Sequence, residues 1–187
     1  MTLSIILPCL NEAHNLATLL PSLQQAHPTA EIIVVDDGSS DASAQIAQQL
    51  AIRVIKHPYR LGRAAVKSGA RVAQGDVLVF MDADGQHNPQ DIEKLLTILV
   101  QGHEMVVGAR TSVSQASLAR KWANRFYNRL ASWMVGHPIP DLTSGFRAVK
   151  ANKFREFISL LPNTFSYPTT ITMAFFRAGY SVGYVPI

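Results

Sequence analysis

Residues 77–87 read VLVFMDADGQH, a stretch in which five apolar residues run directly into two acids. The apolar run is too short for a helix and too continuous for a strand with one face in water. Residues 77–81 are therefore predicted to form a strand that is buried on both faces, as in the middle of a parallel sheet. Gly85 permits a sharp turn after the strand, and Pro89 favours the start of a helix.

Asp82 and Asp84 stand two residues apart at the end of this predicted strand. Ligands of open α/β sheets bind beyond the carboxyl ends of the strands. Two carboxylates so close together repel each other unless a cation lies between them. A hard cation bound by carboxylates, water and substrate phosphates is the usual Mg²⁺ arrangement. A solvated acidic turn is the alternative explanation of the same pattern.

The composition indicates one globular domain in a reducing compartment. A chain of 187 residues with 48% hydrophobic composition can bury one core. Its single cysteine, Cys9, excludes an internal disulfide framework. The first residues lead straight into a predicted strand, so no signal peptide is expected. No apolar run approaches the roughly 20 residues that span a bilayer.

The charges are unevenly distributed along the chain. Five acids precede the first basic residue, Arg53, whereas ten Lys or Arg against two acids follow from Arg110 onward. This polarity favours an acidic, metal-binding half and a basic, anion-binding half. No nucleic-acid motif and no aromatic platform accompany the basic half, so a nucleic-acid partner is not expected. The sequence carries no signal of oligomeric state.

Strands and helices alternate along the chain, which predicts βαβ units and an α/β domain with a mostly parallel sheet flanked by helices. Strands are expected at residues 3–7, 32–35, 54–55, 77–81, 105–109, 146–149 and 181–185, and helices at residues 12–25, around Ile46 and Leu50, and at 62–73, 89–100, 117–135, 152–160 and 168–177.

Polar residues follow three of these strands at one edge of the sheet: residues 8–12 (PCLNE), 36–39 (DDGS) and 82–87 (DADGQH). Carboxylates in such positions cost desolvation unless they have a partner. A nucleotide supplies partners, because its base and ribose carry hydrogen-bond donors and its diphosphate binds a metal.

The order and spacing of these segments, followed by DLTSGFR at residues 141–147, resemble the family 2 glycosyltransferases with a GT-A (Rossmann-like) fold. The resemblance covers essentially residues 1–187. Residues 141–147 look like the polyprenyl-phosphate, or dolichol-phosphate mannosyltransferase-like, branch. The relatives continue past the final strand into a segment bearing Arg and Lys, so this chain is expected to lack a C-terminal tail.

The resemblance implies a metal-dependent, inverting hexosyltransferase. Its donor would be a nucleoside-diphosphate sugar. Its acceptor is expected to be a polyprenyl (dolichyl or undecaprenyl) phosphate, which places the protein at the cytoplasmic face of a membrane as a peripheral protein. The helix at residues 117–135 is predicted to pack as an amphipathic helix, and its lack of acids also suits an anionic bilayer surface.

On the donor side, the resemblance implies that Pro8, Leu10 and Glu12 line the nucleoside pocket. Asp37 would read the edge of the base, with Asp36 as the second candidate for that role.

A divalent cation, Mg²⁺ or Mn²⁺, would be held by Asp82, Asp84 and Gln86 on the donor diphosphate, with Asp82 also near the ribose and Asp84 counted as catalytic. Arg63 lies near the start of a predicted helix, where it could reach a phosphate.

On the acceptor side, the implied phosphate-binding residues are Arg110, Arg120, Asn124, Ser144 and Arg147. A polyprenyl phosphate is ionised near pH 7, so it needs arginines to position it and no general base. Arg147 stands where relatives with sugar acceptors carry acids.

Asp141 is left with two candidate roles: a general base, which a sugar hydroxyl acceptor would require, or an orienter of Arg147. The metal and the arginines would stabilise the leaving nucleoside diphosphate.

Other functions share parts of this pattern. A haloacid dehalogenase-type phosphatase also ends an apolar strand in DxDG, but it places Thr or Ser where this chain has Gln86, and that strand comes first in the domain. A related nucleotidyltransferase would carry a Gly-rich loop after the first strand, which residues 8–12 do not form. A non-catalytic sugar-nucleotide binding module remains the non-enzymatic alternative.

Overall fold

The structure is a computed structural model that describes residues 1–110, 118–164 and 166–187, with the side chains of residues 118–126 outside the described set. Its elements are, in chain order, β1 Leu3–Cys9, α1 Ala13–Ala26, β2 Glu31–Asp36, α2 Ser43–Gln49, β3 Arg53–Lys56, α3 Ala64–Val72, β4 Val77–Phe80, α4 Asp91–Leu99, β5 Met105–Ala109, α5 Leu118–Val135, β6 Arg147–Lys150, α6 Ala151–Glu156, α7 Tyr167–Arg177 and β7 Val182–Pro186. The predicted α/β architecture is confirmed, with most element boundaries within two residues of the prediction.

The strands form one seven-stranded sheet in the order β3-β2-β1-β4-β6-β5-β7. β4 is buried along its whole length, as its unbroken apolar sequence predicts. It pairs in parallel with β1, but its other neighbour, β6, is antiparallel to both β4 and β5. The sheet is therefore mostly parallel, with one reversed strand next to the strand that carries the acidic turn.

Two cores cover the two faces of the sheet, because successive side chains of a strand point to opposite sides. On one face, Ile5 and Val79 belong to a cluster with residues of α1, α2 and α4. On the other face, Ile6 and Phe80 belong to a cluster with residues of α3, α6 and α7. This packing fixes the strand ends, so the loops that follow β1, β2 and β4 lie at one edge of the sheet.

Helix α5 is predicted to be a packed amphipathic helix, and its described half packs in part, through Ala131 and Val135. Trp133 and Leu130, which the pattern places on its apolar side, are 81% and 42% exposed. Nothing is described for the side chains of its first half. None of the helices in the described ranges combines the length and apolar character needed to span a bilayer.

Candidate active site

A cleft of about 470 Å³ opens at the edge of the sheet where β1, β2 and β4 end. Five residues predicted for the donor side line this cleft, which is called the donor cleft below: Pro8, Leu10, Asp37, Arg63 and Asp82. The rest of its wall consists of Cys9, Arg60, Leu61, Gly62, Ala65, Asn163 and Thr164. The sheet topology thus brings together residues that are up to 156 positions apart in the chain, from Pro8 to Thr164.

Asp37 is buried, and its carboxylate ties down the loop after β3. Its Oδ1 accepts hydrogen bonds from the Leu61 N–H and from the His57 ring, each at 2.8 Å. Its Oδ2 accepts from the Gly62 N–H at 2.7 Å. A carboxylate oxygen has two lone pairs, so Oδ2 can accept one more hydrogen bond from a ligand in the cleft.

The other two acids of the donor side, Asp36 and Glu12, are outside the cleft lining. Asp36 is buried, and its Oδ1 accepts from the Ser39 N–H at 2.9 Å, which closes the turn after β2. Glu12 precedes α1, and its Oε2 accepts from the Asn15 side-chain amide at 2.7 Å. Both carboxylates are engaged in shaping the loops that surround the cleft.

Asp82 and Arg63 form an ion pair inside the cleft, with 2.9 Å between Arg63 Nη1 and Asp82 Oδ1. Both side chains are partly exposed, so a phosphate entering the cleft can reach the guanidinium. Gly145 packs against the same carboxylate. A Cβ at position 145 would lie 3.0 Å from Asp82 Oδ2. The absence of a side chain there lets residues 141–147, called the acceptor segment below, approach the acidic turn.

Asp84 and Gln86 are both exposed at the rim beyond β4. Asp84 Oδ1 accepts from the Gln86 backbone N–H at 3.1 Å, which tightens the turn. The described residues contain no cluster of three or more His, Cys, Asp or Glu that could enclose a metal by themselves. Mg²⁺ in phosphate-binding enzymes is usually held by one or two carboxylates together with substrate phosphates and water. Asp82, Asp84 and the Gln86 amide oxygen fit such an open site.

His87 lies behind the acidic turn. Its ring stacks on Phe146 with 4.7 Å between centroids and 15° between the planes. Burial lowers the pKa of His87, although the nearby carboxylates of Asp82 and Asp84 act in the opposite direction. The stacked pair packs the acidic turn against the acceptor segment.

Arg110 and Asp141 form a bidentate pair at the end of β5. Arg110 Nε lies 2.9 Å from Asp141 Oδ2, and Arg110 Nη2 lies 3.2 Å from Asp141 Oδ1. The same Nη2 donates to the Thr143 hydroxyl at 2.7 Å. Burial alone would raise the pKa of the Asp141 carboxyl, but hydrogen bonds from Arg110 and Thr143 hold that pKa below its ordinary value.

The structure corrects the expected position of Arg147. The side chain is 0% exposed on the face of the sheet covered by α7, so it cannot touch an acceptor in this arrangement. Its Nη1 donates to the Pro168 carbonyl at 3.2 Å and to the Thr172 hydroxyl at 3.3 Å, and its Nη2 donates to the Ser144 carbonyl. Asp141 binds Arg110 directly, whereas the hydrogen bonds of the Arg147 guanidinium go to other groups.

The remaining acceptor residues divide into two groups. Ser144 is buried, its N–H donates to Asp141 Oδ1 at 3.1 Å, and its hydroxyl has no hydrogen-bond partner in the described part of the chain. Arg120 and Asn124 belong to the half of α5 whose side chains lie outside the described residues. Arg110, with its side chain 35% exposed, is therefore the acceptor-side arginine that the structure places within reach of a ligand.

Two residues that line the cleft and one that lies behind it carry no motif that could have identified them. Asn163 and Thr164 line the donor cleft from the loop between α6 and α7, about 100 residues beyond Arg63. The Asn163 carbonyl accepts from the Arg63 N–H at 3.1 Å. His57 shows no ligand spacing in the sequence, and only its contact with Asp37 connects it to the site.

Residues 4–158 match the family model of Glycosyl transferase family 2. An undecaprenyl-phosphate 4-deoxy-4-formamido-L-arabinose transferase of Pseudomonas savastanoi is 32% identical over 89% of this chain and 55% of its own length. A polyprenol monophosphomannose synthase of Mycolicibacterium smegmatis is 28% identical over 98% of this chain and 75% of its own length. The chain thus spans little more than half the length of the first of these relatives.

Among solved structures, glucosyl-3-phosphoglycerate synthase from Mycobacterium tuberculosis, in complex with Mn²⁺, UDP and phosphoglyceric acid, superimposes with a TM-score of 0.80. The match covers 99% of this chain and 68% of that one at 21% identity, so it supports the fold alone. The family match, the order of the strand-end motifs and the sheet topology agree. This chain belongs to glycosyltransferase family 2 and has the GT-A fold.

Proposed function

We propose that this protein transfers a sugar from a nucleoside-diphosphate sugar to a polyprenyl phosphate at a membrane surface. The donor cleft offers a carboxylate for the base, Asp37, and an arginine for the phosphates, Arg63. Asp141 of the acceptor segment binds and orients an arginine, Arg110, at the end of β5. Of the two relatives described above, one is by its name an undecaprenyl-phosphate sugar transferase and the other a synthase of polyprenol monophosphomannose, which supports a polyprenyl-phosphate acceptor here.

In this proposal the donor lies in the cleft with its nucleoside over Pro8 and Leu10 and its diphosphate toward Asp82 and Asp84. Asp82, Asp84 and Gln86 would hold a divalent cation, Mg²⁺ or Mn²⁺. A cation bound there supplies Lewis-acid stabilisation of the leaving diphosphate. Arg63 would exchange part of its contact with Asp82 for a donor phosphate oxygen.

The pairing of Asp141 with Arg110 is the observation that carries the choice of acceptor. A sugar hydroxyl needs a general base, and Asp141 is the acceptor-segment acid that could serve as one. Its carboxylate is buried, its two oxygens bind Arg110, and its pKa is lowered, so it is a weak base with no oxygen facing a substrate. A phosphate acceptor is already ionised and needs a cation, which Arg110 supplies.

The reaction then requires no proton abstraction. A phosphate oxygen of the acceptor attacks the anomeric carbon from the face opposite the leaving group. The new carbon–oxygen bond forms as the bond to the nucleoside diphosphate breaks, and the configuration inverts. Arg110 holds the attacking phosphate, and Arg63 stabilises charge on the departing one.

The basic sequence and the exposed apolar side chains of helix α5 favour contact with an anionic bilayer. Residues 110–140 contain no acid, and α5 carries four basic residues. At its C-terminal end Trp133 and Met134 are 81% and 57% exposed, next to the exposed Arg129. Exposed aromatic and apolar side chains beside cations are typical of helices that lie in the membrane interface. We propose that this surface brings the protein to the lipid-linked acceptor at the cytoplasmic face.

The test uses this chain with undecaprenyl phosphate in detergent and with UDP- and GDP-sugars in the presence of Mn²⁺. Release of nucleoside diphosphate that depends on the lipid phosphate, together with formation of a glycosyl phospholipid, is expected. Donor binding without transfer in any combination would favour the non-catalytic binding module. Phosphate release from simple esters would favour the phosphatase.

Flotation with vesicles tests the membrane surface separately. Binding to vesicles containing phosphatidylglycerol at low salt is expected, with loss at high salt because the attraction is electrostatic. Trp133→Ser should weaken flotation at low salt, because it removes the most exposed aromatic side chain of α5. No flotation of the wild-type protein at low salt would remove α5 as the membrane contact.

A further inference from the structure

Three side chains form a continuous hydrogen-bonded series behind the donor cleft. Asp37 Oδ1 lies 2.8 Å from Nδ1 of His57, and Nε2 of the same ring lies 2.9 Å from the Ser68 hydroxyl of α3. The Asp37 and His57 side chains are only 7% and 8% exposed. His57 does not line the cleft, so its contact with Asp37 is its connection to the site.

Both ring nitrogens of His57 are engaged, which fixes the orientation of the ring. Carboxylate oxygens only accept, so Nδ1 must carry the proton that bonds Asp37, and Nε2 can accept from the Ser68 hydroxyl. The fixed ring in turn holds the Asp37 carboxylate against rotation about its last side-chain bond. The Leu61 and Gly62 N–H groups can then bond its two oxygens at 2.8 and 2.7 Å.

The backbone of the turn after β2 also packs directly on this loop. Gly38 has φ of +86°, and a Cβ there would lie 2.9 Å from the carbonyl carbon of Tyr59. The turn and the loop at residues 57–62 are therefore in direct contact and are joined by the hydrogen bonds of Asp37. Arg60, Leu61 and Gly62 of this loop form one wall of the donor cleft.

We propose that His57 is a positioning residue for the nucleoside end of the donor cleft, acting through Asp37 and supported by Ser68. Three lone pairs of the Asp37 carboxylate are occupied, so one lone pair, on Oδ2, remains to accept a hydrogen bond from the nucleobase. The direction of that lone pair determines which base edges can bind, so His57 contributes to nucleotide preference without touching the ligand. This inference rests on the proposed nucleoside-diphosphate donor.

Calorimetric binding of UDP and of GDP, each with Mn²⁺, tests the proposal in His57→Phe and Ser68→Ala variants of this chain. Phe fills the space of the imidazole but offers no hydrogen bond. The nucleotide preference is the affinity for the better-bound of the two nucleotides divided by the affinity for the other. This ratio is expected to shrink by about 10-fold or more in His57→Phe, because the hydrogen bond from His57 that orients the Asp37 carboxylate is lost. Ser68→Ala removes only the outer bond and should shrink the ratio by a smaller factor.

His27→Phe is the matched control. His27 is also a buried histidine with a ring hydrogen bond, to the Pro89 carbonyl at 3.2 Å, but it does not line the cleft. A purely structural role predicts that both histidine variants lose thermal stability and keep the wild-type ratio. The positioning role predicts that, of the two histidine variants, only His57→Phe changes the ratio.

The outcomes separate this inference from the proposed function. If the wild-type protein binds neither nucleotide, the proposed nucleoside-diphosphate donor is refuted, and the proposed role of His57 with it. Wild-type binding with the same ratio in His57→Phe would refute only the role of His57. If His57→Phe does not fold, an unchanged ratio in Ser68→Ala would refute the positioning role of the Asp37–His57–Ser68 hydrogen bonds.

Discussion

The donor cleft and the acceptor segment hold their carboxylates in different ways. Asp37 in the cleft and Asp84 at its rim accept hydrogen bonds from backbone N–H groups, which leaves them oxygen lone pairs for a ligand, whereas Asp82 is paired with Arg63. Asp141 is bound by an arginine within a packed loop, and its partner Arg110 is the more exposed member of the pair, at 35% against 7%. At the donor cleft a carboxylate is available to a ligand, whereas beside the acceptor segment the available group is the guanidinium of Arg110.

Arg147 extends this comparison. It is fully buried, and the described residues place no carboxylate within hydrogen-bond distance of it. Residues 111–126 contain no acid that could supply one. Burial lowers the pKa of this guanidinium, yet an arginine stays charged in proteins. Its carbonyl partners join the acceptor segment to the start of α7, so its contribution is to the shape of the segment.

The largest effect is expected from Asp84→Ala, which removes an exposed carboxylate of the donor cleft's rim. Transfer should fall by roughly 10²–10³-fold, the range seen when a single electrostatic contact to the transition state is lost. The added affinity that Mn²⁺ gives to nucleoside diphosphate should fall with it. Calorimetry with and without chelator measures this change.

Glu93→Ala is the control for Asp84→Ala, because Glu93 is a carboxylate with 68% exposure that lies outside the cleft lining. Glu93→Ala should leave unchanged both the rate of transfer and the affinity that Mn²⁺ adds for nucleoside diphosphate. Wild-type affinity for nucleoside diphosphate that is insensitive to chelator would contradict the metal site.

Arg147→Ala should lower the free energy of unfolding by about 2–4 kcal/mol, because it opens a cavity and leaves buried carbonyls without a donor. Arg147→Met fills most of the volume and should cost less. Urea denaturation of the three proteins measures the difference. A stability loss below that of an exposed arginine, such as Arg71→Ala, would contradict a structural role for Arg147.

Arg110→Ala should raise the KM for undecaprenyl phosphate by roughly 10- to 100-fold, since a charge-assisted contact contributes about 1.5–3 kcal/mol. Its effect on stability should be smaller than that of Arg147→Ala, because the Arg110 side chain is partly exposed. Steady-state kinetics in detergent micelles, with Arg71→Ala as the control, measures the change. An unaltered acceptor KM would exclude Arg110 from the acceptor site.

The smallest effect concerns the pH dependence of stability. The pKa of Asp141 is lower in the folded protein than in the unfolded chain, so its ion pair stabilises the fold at neutral pH. This contribution is lost as the pH falls through the folded-state pKa, below the ordinary value of 3.8.

Asp141→Asn should therefore cost about 1–2 kcal/mol at pH 7, and the difference from wild type should shrink toward zero below about pH 4. Urea denaturation between pH 3 and pH 7 measures both values. A difference that is constant over this range would show that the Asp141 charge contributes nothing to stability.

Much of the fold follows from local sequence pattern. The continuous apolar run at residues 77–81 predicts a strand buried on both faces, and β4, at Val77–Phe80, is such a strand. The alternation of strands and helices predicts the parallel connections. It does not predict the reversed strand β6, because the direction of a strand depends on the path of the chain through α5, which apolar periodicity does not encode.

The donor cleft was predictable to a similar degree. Pro8, Leu10, Asp37 and Asp82 follow strands that the sequence identifies, and the carboxyl ends of parallel strands meet at one edge. Asn163 and Thr164 were not predictable, because they reach the cleft from a loop with no motif. His57 acts through a side-chain contact across two elements, and such a contact has no signature in residue spacing.

The sequence by itself determined which residue types stand at the strand ends, because buried strands must be apolar and their exits carry the polar groups. Only the tertiary structure decided how the charges are paired. Asp141 and Arg147 are six residues apart, yet Asp141 binds Arg110, whereas Arg147 is buried and donates to a carbonyl of α7. Successive positions along a strand alternate between the two faces of the sheet, and Arg147, at the start of β6, faces the side that α7 covers. The packing of distant elements therefore decides which arginine meets a carboxylate and which is enclosed.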